Sequence, residues 1–244
     1  MIKHICFDKD GIIIDVHGYW NHNCHLRAEH LVENYKLDPS MFGQLMWSMG
    51  IDTNSGRIRE KGPVGYHPRD IVINNIVKFF AQLNIEAKFS DISAMFEKID
   101  TFQQARDDYN IELLKGVKPF LKWLKEKKIL ISIYTSDRRL NAEKILDRVG
   151  LANIVDTIVG GDDVAKGKPD PEGFLTACNK LQIKPEHSAY VGDTISDMVM
   201  GKEGSAAMVV GLGSGLFSTS ELQKETRFTY SSTIDLHAEI ESYL

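Results

Sequence analysis

Two aspartates one residue apart, Asp8 and Asp10, close the short apolar run HICF, and Gly11 comes directly after them. Like charges at that separation repel, and burial raises the cost. Either both carboxylates face water, or something positive lies between them. Polar residues also end apolar runs farther along the chain. Thr135, Ser136 and Asp137 come after ILISIY, and Asp193 comes after SAYVG, with Asp197 one helical turn later. Lys166 and Lys168 lie in the loop GGDDVAKGKPDP. Asp8, Asp10 and Asp193 offer hard oxygen ligands of the kind Mg²⁺ takes. A divalent cation there bridges acids that would otherwise repel each other.

These residues meet only if the apolar runs are strands of one sheet. Residues 3–7, 129–135, 154–160, 188–193 and 206–213 read as strands, and helical patterns at 118–127, 139–149, 171–181 and 197–204 separate the later ones. Strands alternating with helices predict a doubly wound parallel α/β sheet of Rossmann-like type. Sites in such sheets lie at the carboxyl ends of the strands, where all the residues above fall. Between 17 and 114 no strand is expected. Helices are predicted over 22–36, after Asp38-Pro39-Ser40, over 69–83 and over 90–110, with a Gly-, Pro- and charge-rich loop at 50–69. The chain therefore divides into a catalytic core, 1–15 and 116–244, and an inserted helical unit, 16–115. Past the last strand we expect a hairpin or loop closing the sheet edge, then a C-terminal helix.

Bulk properties narrow the function. A formal net charge of -5 gives no general attraction for nucleic acid. No apolar stretch approaches the roughly 20 residues that span a bilayer, and the start MIKHICFDKDG carries no secretory h-region. Cys6, Cys24 and Cys178 are scattered and odd in number, as expected of reduced thiols in a cytoplasmic protein. His17, His22, His25 and His30 with Cys24 fit no compact zinc spacing.

The motifs DKDG at 8–11, Thr135 after its strand, Lys168 in KPDP and GDTISD at 192–197 stand in the order and spacing of the haloacid dehalogenase superfamily, which this sequence resembles. The likeness covers residues 1–15 and 116 to about 213. The helical insertion resembles the small cap of that family's phosphoglycolate phosphatase and β-phosphoglucomutase branch. The resemblance implies Asp8 as nucleophile, forming an aspartyl phosphate, and Asp10 as general acid and then base. It implies that Thr135 and Ser136 hold phosphoryl oxygens and that Lys168 neutralises them. Asp8, Asp10 and Asp193 would hold Mg²⁺, with Asp197 beside the metal or orienting Lys168. Lys166 reads as solvated.

The implied activity is Mg²⁺-dependent hydrolysis of a small phosphorylated metabolite, a sugar phosphate or a phosphoglycolate-like phosphomonoester. A phosphomutase of the β-phosphoglucomutase type uses the same chemistry and stays open as an alternative. So does a non-enzymatic phosphate-binding or signalling protein on a receiver-like or inactive fold, although Asp10 argues for turnover. In the inserted unit, Arg57, Arg59 and Lys61 face the single acid Glu60 and are candidates for the rest of the substrate. Monomer and homodimer are both open.

Overall fold

The computed structural model describes residues 1–67, 69–105 and 111–244. The chain forms two compact units, Met1–Asp15 with Glu112–Leu244, and Val16–Ile111. The first strand, β1 (His4–Phe7), is buried along its whole length. Full burial is what a central strand of a parallel sheet requires.

The second unit is mostly helical. It holds α1 (Val16–Asn34), α2 (Phe42–Met49), a single broken turn α3 (Pro63–Tyr66), α4 (Arg69–Gln82) and α5 (Phe89–Ala105). Helix α1 begins six residues before its predicted start at 22, and Val16 and His17 are buried in its first turn. That burial outweighs the unfavourable helical Gly18. The unit is not free of strands, contrary to expectation. Residues Ile51–Asp52 (β2) and Arg57–Ile58 (β3) pair antiparallel. Strands two residues long leave no alternation to detect. The unit's core is built from residues at helical spacing: Leu45, Met46 and Met49 of α2, Val72, Ile73, Ile76 and Phe80 of α4, and Ile92, Phe96 and Ile99 of α5. Arg27 is buried among them, 2.9 Å from Asp100 and with its guanidinium 4.5 Å from the centre of the Phe96 ring. The last residues of the helix predicted to 110, 106–110, lie outside the described residues.

The first unit resumes with α6 (Val117–Glu126), β4 (Leu130–Tyr134), α7 (Arg139–Arg148) and β5 (Thr157–Val159). It continues with α8 (Glu172–Lys180), β6 (Ser188–Gly192), α9 (Ile195–Glu203) and β7 (Met208–Leu212). A short α10 (Thr219–Leu222), β8 (Phe228–Tyr230) and α11 (Thr233–Ile240) complete it. The six strands run in the order β5-β4-β1-β6-β7-β8, every neighbouring pair parallel. This is the predicted Rossmann-like α/β sheet, with β1 at the point where strand order reverses. The sheet edge departs from expectation. Instead of a hairpin or loop, the chain crosses over through α10 and adds β8 parallel to β7.

Within the sheet, His4 is buried between two hydroxyls. Its Nδ1 lies 2.9 Å from Ser188 Oγ and its Nε2 2.8 Å from Ser132 Oγ. Burial pushes its pKa down to about 4, against a smaller upward pull from Asp156.

Candidate active site

Strand register brings the polar residues together. Phe7 pairs with Ile133 on one side and Val191 on the other. Asp8 is therefore level with Tyr134 and Gly192, one residue short of Thr135 and Asp193. The turn after Asp8 depends on Gly11, whose φ is +79°. A side chain there would also collide with Asp193, since a Cβ would lie 2.4 Å from its Oδ2.

Lys168 binds the carboxylates on this rim. Its ammonium lies 2.8 Å from Asp8 and 2.8 Å from Asp197. Burial opposes its charge, but Asp197 and Asp8 outweigh it and hold the ammonium pKa above its ordinary value. Asp197 is fully engaged. Oδ1 accepts from Lys168 and from the Tyr190 hydroxyl at 2.9 Å. Oδ2 accepts from the Thr194 hydroxyl at 2.6 Å and the Thr194 N–H at 3.1 Å. Thr194 and Asp197 form the capping box of α9, so the helix start itself orients the carboxylate. Lys166 lies 3.6 Å from Asp170 with its side chain 74% exposed, away from this arrangement.

Asp8, Asp193 and Asp197 can each place a carboxylate oxygen within 4.8 Å of the others'. Burial pushes the Asp8 pKa up to about 7 against the pull of Lys168, with Asp197 and Asp10 adding to the rise. Burial, then Asp8 and Asp197, raise Asp193 as well. Asp193 Oδ2 accepts the Leu216 N–H at 2.7 Å, while its buried Oδ1 has no hydrogen-bond partner. A buried carboxylate oxygen without a donor, close to a second carboxylate, is the donor set a hard divalent cation fits. The loop 213–217 shapes this point. A Cβ at Gly215 would lie 1.9 Å from Asp193 Oδ2, and Ser214 Oγ donates to Gly11 O at 2.8 Å.

Asp10 sits apart from this acidic group. Its carboxylate lies 2.9 Å from the ammonium of Lys9, which is also 3.4 Å from Asp137. The Asp137 N–H donates to Thr135 Oγ1 at 3.1 Å, leaving the threonine's own proton free to be donated. Thr135 is buried and Ser136 exposed. Asp137 also caps its own turn through Arg138 N and Asn141 Nδ2.

The basic residues of the inserted unit do not converge on one point. The Arg57 guanidinium lies 2.7 Å from His17 Nε2. Arg59 stacks on Trp47, 3.9 Å from the ring centre, and donates to Trp47 O at 2.8 Å. Arg59 and Lys61 line a separate cavity of about 670 Å³ with Trp47, Lys78 and Phe79. Sequence reasoning missed Lys9, the Tyr190 and Thr194 support of Asp197, and the loop over Asp193. The T-x-x-D spacing at 194–197 was a readable signal for the second of these.

The profile of the haloacid dehalogenase-like hydrolases matches residues 2–204, and the chain belongs to that family. β-Phosphoglucomutase of Bacillus subtilis is 29% identical over 99% of this chain and 97% of its own length. Validoxylamine A 7'-phosphate phosphatase of Streptomyces hygroscopicus is 32% identical over 36% of this chain, and that match spans only 41% of its length. A phosphorylated carbohydrates phosphatase of Thermotoga maritima is 34% identical over 41% of this chain, with 48% of its own length matched. The solved structure of β-phosphoglucomutase from Clostridium difficile shares the fold at a TM-score of 0.62 and 19% identity, covering 100% of this chain and 96% of that one. Among the described residues, no helix is long and apolar enough to cross a membrane.

Proposed function

We propose that this hydrolase is a Mg²⁺-dependent phosphatase that acts on a small phosphorylated metabolite through an aspartyl-phosphate intermediate on Asp8. The observation that carries the reading is the Lys168 ammonium held 2.8 Å from both Asp8 and Asp197. That bridge keeps a positive charge against the nucleophile where a phosphoryl group brings more negative charge. Asp8, Asp193 and the Asp10 carbonyl would hold Mg²⁺, and Asp197 is assigned to positioning Lys168. The cation supplies charge neutralisation between the carboxylates and the phosphoryl oxygens when bound.

In the first step a carboxylate oxygen of Asp8 bonds to phosphorus, and the bond from phosphorus to the leaving oxygen breaks. Asp10 gives its proton to that oxygen. Thr135, with Ser136 beside it, donates to the phosphoryl oxygens. In the second step Asp10 takes a proton from water as the water oxygen bonds to phosphorus. The bond from phosphorus to Asp8 breaks, and inorganic phosphate leaves. Sugar phosphates and phosphoglycolate-like acids are the substrate classes we favour, with Arg57, Arg59 and Lys61 of the inserted unit assigned to recognition beyond the phosphoryl group. Three free buried cysteines suit a reducing, cytoplasmic setting.

The end-to-end likeness to the Bacillus subtilis β-phosphoglucomutase favours one second reading, transfer of the phosphoryl group to a second sugar hydroxyl. Aryl phosphate hydrolysis with and without Mg²⁺, then a phosphometabolite panel with and without catalytic sugar bisphosphate, separates the two. Phosphate release that needs Mg²⁺ and ignores the bisphosphate supports the phosphatase. Isomerisation that requires the bisphosphate replaces it with the mutase.

A further inference from the structure

We propose that Lys9 is a positioning residue that aims the Asp10 carboxylate at the leaving oxygen and couples it to the phosphate-binding turn of Thr135. This inference rests on the role assigned above to Asp10. Lys9 lies between Asp8 and Asp10 in sequence, yet its ammonium is not on the Asp8 side of the rim, where Lys168 already serves. It is 2.9 Å from Asp10 and 3.4 Å from Asp137, with its side chain only 4% exposed. The Asp10 side chain is 37% exposed and has no other hydrogen bond among those described.

The geometry argues for more than a charge pair on the surface. A lysine at such burial loses the rotamer freedom that makes exposed lysine contacts weak. Its position is further constrained by the backbone, since Lys9 O accepts from both Ile13 N and Ile14 N, and Lys9 N donates to Asp8 Oδ1 at 2.7 Å. Asp137, the other anchor, is fixed by Arg138 N and Asn141 Nδ2 and gives its own N–H to Thr135 Oγ1. A continuous chain thus runs Asp10, Lys9, Asp137, Thr135. It joins the proton donor on the β1 turn to the phosphate contact on the β4 turn. Small errors in such aim are costly, because proton transfer needs hydrogen-bond contact in the transition state.

A structural ion pair and a positioning residue differ in one measurable way. Proton donation matters for an alkyl phosphate, whose leaving group is a strong base. It matters little for p-nitrophenyl phosphate, whose phenolate departs unprotonated. The test compares kcat/KM for both substrates, using glycerol 2-phosphate as the alkyl phosphate, in Lys9→Met, Lys9→Arg and Asp137→Asn. Both substrates are read on the same preparation, so a variant that folds in lower yield leaves their ratio unchanged. We expect Lys9→Met to lower the alkyl-to-aryl ratio about tenfold or more, part of the range general acid catalysis covers. Lys9→Arg should restore part of the ratio, and Asp137→Asn should lower it in the same direction. An unchanged ratio in Lys9→Met, or in Asp137→Asn should Lys9→Met be inactive, overturns the inference. Asp10→Asn is the control: if it too leaves the ratio unchanged, the fault lies in the role given to Asp10, and the inference falls with it.

Discussion

The rim of the six-stranded sheet and the basic loop of the inserted unit both collect charged side chains, and they neutralise them in different ways. On the rim each buried ammonium bridges two carboxylates, Lys168 between Asp8 and Asp197, and Lys9 between Asp10 and Asp137. In the loop the partners are rings and a carbonyl, with Arg57 on His17 and Arg59 on Trp47. The rim partners are locked by strand register, a helix cap and close glycines. In the loop the basic side chains are exposed or half-buried and have no such locks. Preorganised charge suits bond making at phosphorus, whereas adaptable charge suits recognition. Substitutions on the rim should therefore strike turnover, and those in the loop should strike affinity.

The largest effect should come from Lys168→Met. It leaves Asp8 and Asp197 facing each other without a counter-charge, and we expect kcat to fall by about 10²–10³-fold. Steady-state rates and a thermal melt check this, and a rate within a factor of about three of the parent breaks the rim half of the comparison.

His4 sharpens the contrast, because it is a buried base whose ring nitrogens meet two hydroxyls and the Cys178 thiol rather than a charged partner. Its folded pKa of about 4 lies below its ordinary 6.5, so the unfolded chain binds more protons between those values. Its contribution is present in full above pH 6.5 and is lost as pH falls toward 4. The loss amounts to about 3 kcal/mol at roughly 1.4 kcal/mol per pH unit. Urea unfolding across that range should show the slope, and His4→Gln should flatten it.

Next comes Gly215→Ala, which sets a Cβ 1.9 Å from Asp193 Oδ2 and forces the loop to move. We expect about 1–3 kcal/mol of destabilisation, with more Mg²⁺ needed for half-maximal rate. Gly167→Ala meets nothing within 4 Å and should stay within about 0.5 kcal/mol of the parent. Among the substitutions expected to act on function, the smallest effect should come from Arg57→Ala, which raises KM several-fold on a preferred substrate and changes kcat less. A drop confined to kcat would erase the distinction between loop and rim.

Much of the rim was legible because its residues stand just past apolar strands, and parallel strands deliver their carboxyl-terminal neighbours to one edge. Asp8, Thr135 and Asp193 stand that way, Asp197 follows one helical turn later, and Lys168 in the loop after β5 is singled out by its KPDP motif. Partnerships were harder to read. Nothing local says that Lys9 turns toward Asp137, 128 positions later, because that depends on which strands are neighbours. The loop at 213–217 carries no sequence signal for its role, which is to give a main-chain N–H to Asp193, and every residue type but proline carries one. β8 was missed because three half-buried residues, FTY, lack the apolar run of a central strand. In the basic loop, composition shows the charge but not its partners: Arg57 meets His17 and Arg59 meets Trp47.

The most direct test of the account is to trap the phosphorylated protein. Wild type and Asp10→Asn are mixed with an aryl phosphate and Mg²⁺, quenched in acid and reduced with tritiated borohydride, which expels the phosphate and leaves tritiated homoserine at the esterified aspartate, and the label is mapped by peptide. The account predicts label at Asp8, accumulating in Asp10→Asn and absent when Mg²⁺ is chelated or Asp8 is replaced by asparagine. Label on any other side chain, or undiminished turnover in Asp8→Asn, would contradict it.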